Sequence, residues 1–147
     1  TAEQAARSGA TLVSKDEIFR RADILSIHVQ LSQRTRGLVG AQELRAMKPT
    51  AYLINTARGP IVDETALIEA LRTRVIAGAG LDVFDHEPLP PGHPLTRLDN
   101  TLLVPHIGYV TTEQYQARYR DTVENVVGYL EGVPLRVLNP VGTAIKR

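Results

Sequence analysis

Short apolar runs alternate with stretches of helical periodicity along the chain, and their order already suggests an architecture. Residues 1–7 predict a helix stopped by Ser8-Gly9, and residues 11–13 a short strand. Ser14-Lys15-Asp16-Glu17 has the spacing of a capping box, so a brief helix should follow with Ile18 and Phe19 turned inward. The run 24–29 (I-L-S-I-H-V) predicts a strand, 41–47 a helix closed by Pro49, and 51–55 a second strand. After a turn at 56–62 containing Gly59-Pro60, Asp63 is placed to cap a helix that carries Leu67, Ile68 and Leu71 on one face. Residues 76–84 read as a buried strand whose Ala-Gly-Ala-Gly leaves room for close packing. A proline-rich loop at 87–100 leads to a last strand at 101–104, and a longer helix at 112–130 precedes the tail 133–147.

Strands alternating with helices through short loops make parallel βαβ units, here expected to carry helices on both faces of the sheet. Open sheets of this kind bind ligands beyond the carboxyl ends of their strands, so the residues just after each strand matter most. His28 closes the first run, Thr56-Ala57-Arg58 follow the second, Asp82 and Glu87 the third, and His106 the last. A guanidinium in the position of Arg58 can clamp a carboxylate through two parallel hydrogen bonds. Asp82 interrupts an apolar run, where a carboxylate costs several kcal/mol unless it is hydrogen-bonded or paired.

Composition narrows the classes. The 147 residues, 43% hydrophobic and 22% charged, fit one globular domain and exclude wholesale disorder. A net charge of +1, with arginines scattered among acids, argues against a nucleic-acid partner. No apolar run approaches the roughly 18 residues of a membrane span and no signal peptide opens the chain, so a cytoplasmic protein without a membrane partner is expected. The absence of cysteine excludes disulfides and thiolate chemistry. His86, Glu87 and His93 invite a metal reading, but Pro88, Pro90 and Pro91 forbid a helical H-E-x-x-H arrangement, and no metal site is expected. Tyr115, Tyr119 and Tyr129 read as packing residues of the last helix. A chain that opens on Thr1 and whose single methionine is Met47 reads as a piece of something longer.

Four stretches carry a resemblance: A-D-I-L-S-I-H-V-Q-L-S-Q-R-T-R-G-L-V-G, M-K-P-T-A-Y-L-I-N-T-A-R-G-P-I-V-D-E-T-A-L, A-G-A-G-L-D-V-F-D-H-E-P-L-P and L-V-P-H-I-G-Y. In this order, and over nearly the whole chain, they resemble the nucleotide-binding domain of the D-isomer-specific 2-hydroxyacid dehydrogenases. The resemblance implies an α/β fold: a Rossmann-like parallel sheet with flanking helices. The domain would be incomplete, because no G-x-G-x-x-G occurs and Gly78-x-Gly80 falls inside a strand. It also implies that Arg58, Glu87 and His106 are catalytic, that Asp82 holds the nicotinamide carboxamide, and that His28, Val29, Thr56, Ala57 and Gly108 contact the cofactor. That cofactor would be NAD, ahead of NADP. The implied partners are a small 2-hydroxyacid or 2-oxoacid, an N-terminal substrate domain outside this chain, and a second copy in a homodimer. Residues 1–109 would then be the C-terminal part of the dinucleotide domain, 110–131 a helix crossing toward the substrate domain, and 132–147 a tail. Arg74 stands where the resemblance expects a helix-ending glycine.

The implied roles are chemically complete. Oxidising a 2-hydroxyacid requires a base for the hydroxyl proton while a hydride leaves, and histidine, with an ordinary pKa near 6.5, suits both directions. A neighbouring carboxylate orients the ring and favours its protonated form, while arginine binds the substrate carboxylate. By itself this chain is expected to be inactive. A second reading is a non-catalytic, dinucleotide-sensing module of the corepressor kind, which hydride transfer by the full-length protein would exclude. An unrelated flavodoxin-like domain does not explain why R-G, D-V-F-x-x-E-P and P-H-I-G occur in this order.

Overall fold

In the computed structural model, four short strands build one parallel sheet: β1 (Ile24–Ile27), β2 (Tyr52–Asn55), β3 (Gly78–Leu81) and β4 (Thr101–Leu103). Their spatial order follows the chain, β1-β2-β3-β4, with Leu25 beside Leu53, Leu53 beside Ala79 and Ala79 beside Thr101. The helices are α1 (Ala2–Arg7), α2 (Lys15–Arg21), α3 (Ala41–Ala46), α4 (Glu64–Arg72) and α5 (Thr112–Leu130). The structure describes residues 1–138, so the expected tail is seen only as far as Leu138 and 139–147 lie outside the described residues. Two compact units meet at Gly108 and Tyr109.

In the first unit the connections explain the packing. Every crossover steps the same way along the sheet, and right-handed crossovers that step the same way put their helices on the same side. Phe19, Leu44, Leu67 and Leu71 accordingly share one core with Leu25, Ile27, Leu53, Ala79 and Leu81. This corrects the expectation of helices on both faces. On the opposite face, Ile24 and Leu102 are 69% and 70% exposed.

Local signals mostly hold. Ser14 accepts a hydrogen bond from the Glu17 amide, but the Glu17 carboxylate turns to Arg21 instead of completing the capping box. Only Phe19 of the expected pair is buried; Ile18 is exposed, because neighbouring positions on a two-turn helix diverge by about 100°. Residues 11–13 form no strand, having no ladder partner among the described residues, and Leu12 faces solvent. Asp63 caps α4, accepting from the Ala66 amide at 3.0 Å. The helix ends through Arg74, whose φ of 57° is the left-handed conformation that a glycine would adopt freely. Gly78 supplies the room anticipated for close packing: a Cβ there would lie 2.7 Å from the Asn100 carbonyl oxygen.

The second unit is built on α5, capped by Thr111, whose hydroxyl accepts from the Gln114 amide at 3.2 Å. Gly128 lets the chain return close to the helix, since a Cβ would meet the Val133 carbonyl oxygen at 2.7 Å. Arg118 stacks over the Tyr109 ring at 4.7 Å, and Arg136 pairs with Glu124 and Asp121. In this chain Tyr115, Tyr119 and Tyr129 of α5 are all exposed, with the first two rings 5.8 Å apart. Among the described residues, no helix is long and apolar enough to cross a membrane.

Candidate active site

The turn after β2 carries Arg58 and is fixed from two directions. The amides of Gly37 and Val39 donate to the carbonyls of Pro60 and Ile61 at 2.9 and 3.1 Å, tying the preceding loop to the short 3-10 turn Gly59–Ile61. From the other side the backbone of Phe84 presses on Gly59, where a Cβ would come within 2.0 Å of the Phe84 carbonyl carbon. Only glycine permits that approach. The segment leading to Glu87 is therefore packed directly on the segment that presents Arg58.

Glu87 is held at both oxygens. Oε1 accepts from the Phe84 amide at 3.0 Å, and Oε2 accepts from His106 Nδ1 at 2.7 Å. An ionised carboxylate only accepts, so Nδ1 carries a proton and Nε2 is the ring nitrogen to consider for proton exchange with a substrate. Burial pushes the Glu87 carboxyl upward. The hydrogen bonds from His106 and Phe84, with the charges of His106 and Arg58, outweigh it and hold the group below its ordinary value. All three predicted catalytic residues thus act within one electrostatic neighbourhood.

His106 itself has φ 55°, and its amide donates to the Val104 carbonyl at 3.1 Å, closing a tight turn about Pro105. The two amides that follow, of Ile107 and Gly108, donate to the two oxygens of Asp82 at 2.7 and 2.9 Å. Asp82 is only 4% exposed, so these bonds answer the burial problem that its place in an apolar run posed. Gly108 is needed for the approach, because a Cβ there would lie 2.8 Å from Asp82 Oδ2. A largely apolar cavity of about 560 Å³ adjoins the pair, with Leu89, Pro90, Leu103 and Pro105 in its wall and Glu87 and His106 at its polar end.

The remaining predicted residues follow the other strand ends. Thr56 is exposed and Ala57 half-buried beside Arg58, while His28 and Val29 are exposed after β1, with His28 Nε2 against Ser26 Oγ at 2.8 Å. Three inter-strand steps of about 4.8 Å separate β1 from β4, roughly 14 Å in all, so His28 and Val29 belong to the far end of a long shelf. Such a shelf suits an extended ligand. The donor set fits the nicotinamide end of a dinucleotide: a carboxylate offers about four lone-pair positions, and two backbone amides leave Asp82 able to accept from a carboxamide. No glycine-rich loop for the pyrophosphate is among these residues. Asn55 and Gly59 also shape the site, though Asn55 carried no predicted role and Gly59 only that of a turn residue. Their signals were a polar residue closing an apolar run and a glycine immediately after the key arginine.

His93 and His86 do not join Glu87. His93 Nε2 pairs with Glu64 at 3.1 Å, and among the described residues no group of histidines and acids could hold a metal ion.

A parallel sheet with its polar groups gathered beyond the carboxyl ends of the strands defines a Rossmann-type α/β domain. The family described as "D-isomer specific 2-hydroxyacid dehydrogenase, NAD binding domain" matches residues 1–108, and the chain belongs to that family. The glyoxylate reductase of Thermofilum pendens is 51% identical over 117 residues, covering 80% of this chain and 34% of that protein. The structure of a phosphoglycerate oxidoreductase from Vibrio cholerae superposes with a TM-score of 0.81 at 37% identity, over 89% of this chain and 42% of that one. The NAD-complexed D-isomer specific 2-hydroxyacid dehydrogenase of Lactobacillus delbrueckii ssp. bulgaricus gives 0.75 at 31% identity, over 88% and 44%. The chain therefore spans less than half the length of each of these relatives.

Proposed function

We propose that this chain forms the catalytic half of the active site of an NAD(P)-dependent reductase of small 2-oxoacids, which also runs as a 2-hydroxyacid dehydrogenase. The observation that carries the reading is the 2.7 Å bond between His106 Nδ1 and Glu87, within reach of the Arg58 charge. The nicotinamide cofactor, when bound, supplies or accepts the hydride. His106 Nε2 takes the hydroxyl proton in oxidation and returns it to the carbonyl oxygen in reduction. Glu87 keeps Nδ1 protonated and the ring oriented, Arg58 binds the substrate carboxylate, and Asp82 fixes the backbone beside His106 while accepting from the carboxamide. Glyoxylate is the first substrate to try, given the name of the Thermofilum pendens relative. We place the chain in a longer cytoplasmic protein that adds an N-terminal substrate domain and works as a homodimer, with NAD the expected cofactor.

In the full-length protein, His106→Ala should lower hydride transfer to glyoxylate by about 10²–10⁴-fold and leave cofactor affinity unchanged. Steady-state rates and a cofactor titration measure both. Near-wild-type turnover in the variant would overturn the assignment of His106. A wild-type protein that binds dinucleotide yet transfers no hydride to any 2-oxoacid would overturn the enzyme reading in favour of a sensing module.

A further inference from the structure

We infer that Asn55 is the positioning residue for Arg58, an inference that rests on the proposed role of Arg58 as the carboxylate clamp. Asn55 ends β2 on the helix-covered face of the sheet, in register with Ile27 and Leu81, where every other position of that face is apolar or half-buried. It is 1% exposed, and an amide there must find partners for both its ends.

Both partners lie in the turn that presents Arg58. Oδ1 accepts from the Ala57 amide at 3.1 Å, and Nδ2 donates to the Arg58 carbonyl at 3.0 Å. These bonds run from inside the turn and fix the Thr56–Ala57 and Arg58–Gly59 peptide units, which bracket the Ala57-Arg58 pair. The Arg58 carbonyl also accepts from the Ile61 amide at 3.3 Å, and the guanidinium Nη1 donates to the Ala57 carbonyl at 2.6 Å. The backbone of Asn55 belongs to the sheet, its carbonyl accepting from the Asp82 amide at 3.0 Å. These two side-chain bonds, by contrast, go to no strand and no helix. Asn55 therefore converts the rigid end of β2 into a set direction for the arginine that follows three residues later.

Aspartate at this position keeps the size and the acceptor but loses the donor, and sets an oxygen against the Arg58 carbonyl. Serine keeps a short acceptor and cannot reach that carbonyl. In the full-length protein, Asn55→Asp and Asn55→Ser should each raise the KM for glyoxylate about 10–100-fold, as expected for a displaced binding group, with a clearly smaller loss of NAD affinity through the Ala57 amide that Asn55 also holds. Combined with Arg58→Ala, Asn55→Asp should cause no further loss of kcat/KM, because a residue that acts only through Arg58 has nothing left to position. Unchanged glyoxylate KM in both variants overturns the inference. So does an equal loss of NAD and glyoxylate binding, or full additivity with Arg58→Ala, which a merely structural role produces. If Arg58→Ala alone leaves glyoxylate KM untouched, the role of Arg58 falls; if it damages KM while the Asn55 variants do not, only the role of Asn55 falls.

Discussion

A left-handed histidine is unusual, and His106 adopts that conformation at the point where the chain leaves the sheet. Such a backbone costs on the order of 1–3 kcal/mol and persists only when its surroundings over-determine it. Asp82 does so here, drawing the next two amides down while Glu87 holds the ring from the other side. The Glu87 carboxyl, depressed below its ordinary value in the folded protein, has a definite consequence for stability. A depressed folded value means that the ionised group favours the fold; the contribution is present above the unfolded value of about 4.3 and fades as pH falls through the lower folded one. Thermal melts of the wild type and Glu87→Gln should differ more at pH 6 than at pH 3. A difference that stays constant across that range would show that the charge on Glu87 does not support the fold.

At the scale of elements, most boundaries follow from caps and stops that can be named. Ser8-Gly9, Ser14, Asp63 and Thr111 each do the job that local chemistry assigns them. The end of α4 is the exception. Arg74 occupies a left-handed position, and its side chain reaches Asp99 at 2.6 Å in an exposed ion pair. Relief of the Cβ clash favours glycine there by roughly 1–2 kcal/mol, while the lost pair and the extra freedom of the unfolded chain take part of that back. Arg74→Gly should therefore stabilise by up to about 1 kcal/mol, with the larger gain in high salt, where the ion pair is screened. Melting temperatures at low and high salt measure this, and a lower melting temperature for the variant in high salt would refute it.

Across the whole molecule, the proposed catalytic groups and the shelf beyond the strands are present, while a pyrophosphate-binding glycine loop is not part of these 147 residues. A helix N-terminus and its glycine-rich approach would supply the amides that hold phosphate. The isolated chain should thus show no micromolar binding of NAD or NADP in calorimetry, and tight binding would place the cofactor site elsewhere. Hydrophobic periodicity and strand-helix alternation determined the parallel α/β class, because a strand of period two and a helix of period 3.6 bury different positions. The family resemblance carried by R-G, E-P and P-H-I-G in that order likewise made Arg58, Glu87 and His106 the candidates. Other features only the folded chain decided. The crossover helices α3 and α4 fell on one face because successive crossovers step in one direction, a property of topology that no local window contains. Residues 11–13 and Ile18 departed from their patterns because a strand needs a partner and a short helix buries a narrow stripe. The pressure of Phe84 on Gly59 and the bonds of Asp82 to the His106 segment join strand ends brought together by the sheet. Such contacts depend on three-dimensional neighbours, and spacing along the chain does not encode their distances.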